Sequence, residues 1–138
     1  MTFADPSLEL QKAIVAALKA DAGVSAICNG RIYDTVPPAP VMPYVSFGPF
    51  QLIAEHGTCL NGGEAIIQLD GWSTENGTVE AKRLGAAVAK ALDDAELVLD
   101  APQLLLELTV EQIQYLRDPD GITAHAVITV HALTEPNA

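Results

Sequence analysis

At 138 residues with 49% apolar side chains, the chain is long enough to bury a core without disulfides or metal and too hydrophobic to be disordered. Seven Lys and Arg against 18 Asp and Glu leave a formal net charge of −11, and only Lys82 and Arg83 are adjacent, which excludes the basic stripe of a free-standing nucleic-acid binder. The two cysteines, an N-terminus with neither a basic flank nor an apolar run, and the lack of any apolar stretch near the roughly 20 residues of a membrane span predict a soluble intracellular protein with reduced thiols.

Asp5-Pro6 reads as a helix start, with Asp as N-cap and Pro at the first helical position. Leu10, Ile14, Ala17 and Leu18 recur at helical spacing to about Ala20, and Gly23 marks the end of that helix. Val24 to Cys28 adds one more turn before Asn29-Gly30, a left-handed stop, with Cys28 as a buried small hydrophobe. Arg31-Ile32-Tyr33 is a short strand running into a proline-rich connector (Pro37, Pro38, Pro40, Pro43) that cannot donate to a central sheet. Tyr44 to Phe47 resumes a strand, which continues from Phe50 to Ile53 after a bulge at Gly48-Pro49.

Ala54 to Gly63 is a polar, glycine-rich loop. The strand from Glu64 to Trp72 then puts Ala65, Ile67 and Leu69 on one face and Gln68, Asp70, Trp72 and Ile66 on the other. Ser73 to Asn76 offers helix caps, and Ala81, Leu84, Val88, Ala91 and Leu92 define a second helix from about Gly77 to Asp93, kept narrow by its alanines and Gly85. A loop follows in which Leu97, Val98 and Leu99 tuck toward the core. The strand from Leu104 to Leu116 carries Leu104, Leu106, Leu108 and Val110 in one phase, with Ile113 and Tyr115 in the opposite one, so a bulge falls near Glu111-Gln112.

The last strand alternates from Ile122 to Leu133, and R-D-P-D-G joins it to its predecessor. Pro119 presets φ, the Asp118 side chain bonds the backbone ahead, and Gly121 supplies a positive φ. The predicted fold is α+β: an antiparallel sheet with two main helices on one face and a long C-terminal hairpin, in one domain spanning 1–138.

No reaction is legible in this pattern. His125 and His131 are six residues apart on one strand, roughly 20 Å, too far to share an ion. His56 and Cys59 make only half a zinc site. Ser25, Ser46 and Ser73 lack a hydrolase elbow, no phosphate loop precedes a helix, and the Asp93-Asp94 and Asp118/Asp120 pairs have structural explanations. The expectation is a non-enzyme without metal or cofactor.

Three patches nonetheless form a recognisable set: G-R-I-Y-D-T-V-P-P-A-P-V-M-P-Y-V-S-F-G (30–48), L-D-G-W-S-T-E-N-G-T-V-E-A-K-R-L-G-A-A-V (69–88) and L-R-D-P-D-G-I-T-A-H-A-V-I-T-V-H-A-L-T-E (116–135). In order and spacing they resemble the tail completion, or tail terminator, proteins of long-tailed bacteriophages, also found in prophages and gene transfer agents. The motif positions are Gly30, Arg31, Tyr33, Asp34, Pro43, Tyr44, Trp72, Arg117, Asp118, Pro119, Asp120 and Gly121.

The resemblance implies a structural protein of the virion tail that forms a homo-hexameric ring on the tail-tube protein and stops its polymerisation. It also implies docking to head–tail connector proteins, with DNA passing through the lumen unbound and no membrane involved. Two other readings stand beside it: another head–tail connector or tail-tube-related subunit, and a small cytosolic α+β ligand-binding or regulatory domain.

Overall fold

The computed structural model describes residues 3–55 and 62–136; His56, Cys59 and most of the Ala54–Gly63 loop lie outside them. Its helices are α1 (Ser7–Ala20), α2 (Ala22–Cys28) and α3 (Val79–Leu92). Its strands are β1 (Ile32–Tyr33), β2 (Tyr44–Ala54), β3 (Gly63–Ser73), β4 (Gln103–Arg117) and β5 (Ala124–Pro136). They form one sheet in the order β1-β2-β3-β5-β4. The expected antiparallel sheet is present, with one addition: the two-residue β1 pairs with β2 in parallel. The ten-residue connector between β1 and β2 is long enough to carry the chain back to the end where β1 began.

Alternation decides which residues are buried. In β5, Ala124, Ala126, Ile128, Val130, Ala132 and Thr134 are buried, and the residues between them are half-exposed. In β3, Ala65, Ile67 and Leu69 do the same. The helices close over this face with Leu10, Ile14 and Leu18 of α1, Val24 and Cys28 of α2, and Leu84, Val88 and Leu92 of α3. Close approach is built in at two glycines: a Cβ at Gly71 would stand 3.1 Å from Leu84 Cδ2, and one at Gly85 would stand 2.5 Å from Tyr115 Oη. Among the described residues no helix lies on the opposite face of the sheet.

Several boundaries differ from expectation for local reasons. Pro6 is the N-cap of α1, and Asp5 sits one residue earlier, its Oδ1 accepting from the Ser7 amide. Asp21, not Gly23, separates the first two helices: its amide ends α1 on the Ala17 carbonyl, and its carboxylate caps α2 by accepting from the Val24 amide at 2.9 Å. Gly23 lies inside α2, which the left-handed Asn29 ends. Gly77 has φ 78 and so stands outside α3, which starts two residues later. Ser73 shapes the preceding turn, accepting from the Glu75 amide and donating to Glu80. Of the three loop apolars, Leu99 is buried whereas Val98 is 92% exposed.

The bulges at Gly48-Pro49 and Glu111 are present as register shifts. A second shift in β4, between Leu105 and Glu107, turns Leu105 inward and leaves Leu104 and Leu106 exposed, so these two do not share a face with Leu108 and Val110. As an edge strand, β4 has only β5 to satisfy and tolerates the extra residue. Its middle is covered by the end of α3: Val110 N–H donates to Asp93 Oδ1, and Asp94 N–H to the Leu108 carbonyl.

Candidate functional site

The register gathers the sequence's signature residues at one end of the sheet. Tyr44 lies opposite Trp72, Trp72 opposite His125, and His125 opposite Leu116. Beside them Ile32 pairs with Val45, and Arg117 with Ala124, so G-R-I-Y-D, P-Y-V, Trp72 and R-D-P-D-G meet although up to 91 residues separate them in sequence.

Each motif residue has a place there. Gly30 follows the left-handed Asn29 with φ 76, a conformation open to glycine at little cost. Arg31, half-buried, spans the base of the connector: Nε donates to the Pro43 carbonyl at 2.9 Å, and a terminal nitrogen to the Met42 carbonyl at 3.3 Å. Pro43 is buried under this clasp, whereas Asp34 and residues 35–39 project into solvent with Val36 and Val41 exposed. In the turn, Gly121 N–H donates to the Asp118 carbonyl, and Asp118 N–H to the Thr123 carbonyl. Gly121 supplies the expected positive φ, at 74.

The side chain that organises the turn is Asp120 rather than Asp118. It accepts from the Ile122 and Thr123 amides at 2.8 Å each and from the Thr123 hydroxyl at 2.7 Å. Those bonds, the Thr123 hydroxyl foremost, hold its carboxyl below the usual Asp range. Ile122 is thereby left in the turn, 63% exposed, and not on the buried face of β5.

Across the open face at this end runs an aromatic row. Tyr33 and Tyr44 have ring centroids 5.7 Å apart, Tyr44 and Trp72 6.4 Å, and Trp72 stacks on His125 at 3.8 Å with 13° between planes. Trp72 Nε1 donates to Ser46 Oγ at 3.0 Å. Beneath the row, His125 Nε2 and Gln68 Nε2 both reach Asp70 Oδ1, at 2.6 and 2.9 Å, and Asp70 is only 6% exposed. Burial pushes the Tyr44 hydroxyl above its ordinary pKa, with the Asp118 charge adding to it, which ties the turn to the row electrostatically.

The Asp70–His125–Gln68 cluster did not stand out in the sequence. Its members lie on separate strands, Gln68 and Asp70 on β3 and His125 on β5, and only the β3–β5 register joins them. His131 has a separate partner, Glu64 Oε1 at 2.7 Å.

A cleft of about 480 Å³ lies at the other side of the sheet, between residues 94–98 and 105–108 of the β4 edge, lined by Leu97, Val98, Leu105 and Leu106 with Asp94, Glu96 and Glu107. It joins no nucleophile to a base. Among the described residues no group of three or more His, Cys, Asp or Glu is placed to hold a metal ion. No helix among them is long and apolar enough to cross a membrane.

At this end of the sheet the motif residues do structural work: a clasped connector, a capped turn and an aromatic row. The model of the family "Tail completion protein gp17" matches residues 12–135, and the chain belongs to that family of phage tail structural proteins. Among solved structures, it is similar to a chain of the virion of a native gene transfer agent particle, with a TM-score of 0.87 and 28% identity, over 94% of this chain and 97% of that one. No curated protein matches it.

Proposed function

We propose that this protein is a tail terminator: as a single 138-residue module it assembles into a six-membered ring on the last ring of the tail tube, stops its growth and presents the surface to which the head joins. The observation that carries this reading is family membership across residues 12–135, together with likeness to a virion chain along nearly the whole of both chains.

The architecture supports it. A ring contact is heterologous, so two different sides of one subunit must fit each other. The sheet has two different edges: β4, and the part of β2 from Phe47 onward, which β1 does not cover. Its two ends differ as well. One carries the projecting connector and the R-D-P-D-G turn, the other the chain ends near Ala54, Gly63, Gln103 and Pro136. One end therefore suits the tube and the other the head–tail connector proteins.

In this role the protein is not an enzyme and uses no cofactor, and its place is the virion tail. The motif residues act by shaping the connector end. Purified protein added to polymerising tail-tube protein should arrest elongation at far below stoichiometric amounts. Tubes that grow equally long with and without it, or tubes formed by this protein alone, would overturn the reading.

A further inference from the structure

The turn between β3 and α3 is pinned at both ends and free in the middle. Ser73 is fully buried, and its Oγ accepts from the Glu75 amide at 3.2 Å and donates to Glu80 Oε1 at 2.9 Å. On the far side the Thr78 carbonyl accepts from the Lys82 amide at 2.9 Å, at the start of α3. Between these anchors stand Asn76 and Gly77, both exposed. Gly77 has φ 78, and a Cβ there would meet nothing within 4 Å beyond its chain neighbours. Among the described residues no hydrogen bond holds the Asn76 carboxamide or the Gly77 amide nitrogen.

An asparagine followed by glycine sets an electrophilic side-chain carbonyl next to the backbone nitrogen of the following residue. Glycine has no side chain to shield that nitrogen, and its backbone turns freely. The two groups meet only where the chain between them can rotate, which an exposed turn without internal bonds permits.

The same dipeptide at Asn29-Gly30 is an internal comparison, because there the chain is tied down. The Asn29 amide donates to the Ser25 carbonyl at 2.9 Å, the Arg31 amide to Cys28 at 3.0 Å, and the Ile32 amide to Gly30 at 2.9 Å. Rotating the Asn29 carboxamide onto the Gly30 nitrogen would break this set. The third such pair, Asn61-Gly62, has its asparagine outside the described residues.

We infer that Asn76-Gly77 is a spontaneous modification site, where the folded chain converts asparagine to aspartate and isoaspartate with water as co-reactant. The Gly77 nitrogen, having lost its proton to solvent base, attacks Asn76 Cγ. A bond forms between them, the bond from Cγ to Nδ2 breaks, and that nitrogen leaves with a proton as ammonia. Water then opens the resulting five-membered imide. Opening at the Cγ carbonyl gives aspartate, and opening at the main-chain carbonyl gives isoaspartate. One water enters and one ammonia departs.

Either product adds a carboxylate to a stretch that already holds two. The hydrogen bond and charge of Glu80 hold the Glu75 carboxyl above its usual range, so a third acid there meets like charge. Isoaspartate also lengthens the main chain by one atom just ahead of α3.

The test incubates the purified full chain at mildly alkaline pH in water enriched in heavy oxygen, then locates the label by fragment mass spectra of its peptides. Label should enter residue 76 at least tenfold faster than residue 29, and faster as pH rises, since the attacking nitrogen must first lose its proton. In urea the two sites should convert within twofold of each other, because the bonds around Asn29 are then gone. Conversion at residue 76 no faster than at residue 29 in the folded chain would overturn the assignment. So would a tenfold difference that persists in urea, or a rate that does not rise with pH.

Discussion

Arg31 and Pro43 stand 12 positions apart in the sequence, yet the guanidinium Nε of the first donates to the carbonyl of the second at 2.9 Å. Two residues that look like independent motif letters are thus halves of one clasp. The clasp fixes where the proline-rich connector leaves and re-enters the sheet, and so where Val36 and Val41 project. Charge-assisted bonds of this kind contribute about 1.5–3 kcal/mol. Arg31→Ala should lower unfolding stability by about 2 kcal/mol in urea melts. Arg31→Lys should recover little, because an ammonium lacks the fork that spans two carbonyls. Full recovery with Lys would mean that the charge alone matters.

The Asp70–His125 pair supports the aromatic row from below. A Cβ at Gly48 would stand 2.7 Å from Asp70 Oδ2, so the bulge glycine leaves the room this carboxylate occupies. Asp70→Asn and His125→Gln should each cost about 1–3 kcal/mol, and the double variant should cost clearly less than the sum. Trp72 is the chain's one tryptophan and stacks on His125, so its emission is the natural readout. Gly48→Ala should shift that emission in the same direction as His125→Gln. An emission unchanged in all three variants would show that the cluster does not hold the ring.

Asp120 gives a pH signature. Its hydrogen bonds depress its pKa below the ordinary 3.8, so its contribution to stability is complete above the ordinary Asp range and is lost as pH falls through the depressed value. Asp120→Asn keeps one acceptor but no charge. The parent should therefore be more stable than the variant at neutral pH, and the difference should vanish under strongly acidic conditions. A difference that stays constant into that acid range would contradict this account of the turn.

What could be read from the sequence was local or periodic. The position of the R-D-P-D-G turn, the left-handed Asn29 and the phases of β3 and of β5 from Ala124 onward depend on neighbours within a few residues, and these are present as expected. The bulge at Glu111 was legible because Leu108 and Val110 fall out of phase with Ile113 and Tyr115. The one at Leu106 was not, because Leu104, Leu105 and Leu106 are all apolar and both phases look alike. The choice of Asp120 over Asp118 depends on where Gly121 turns the chain, which composition does not specify. The Asp70–His125 contact spans 55 residues and exists only through the β3–β5 register. The parallel direction of β1 likewise follows from how far the connector runs back, a tertiary fact with no local signal.

The account stands on the claim that this protein ends the tail. The most direct measurement is to delete its gene from the particle-producing strain and image the lysate by negative-stain electron microscopy. Filled heads without tails, beside free tails of uncontrolled length, are the predicted result, with normal particles restored when the gene is supplied in trans. Tails of normal length joined to heads in the absence of the gene would contradict it.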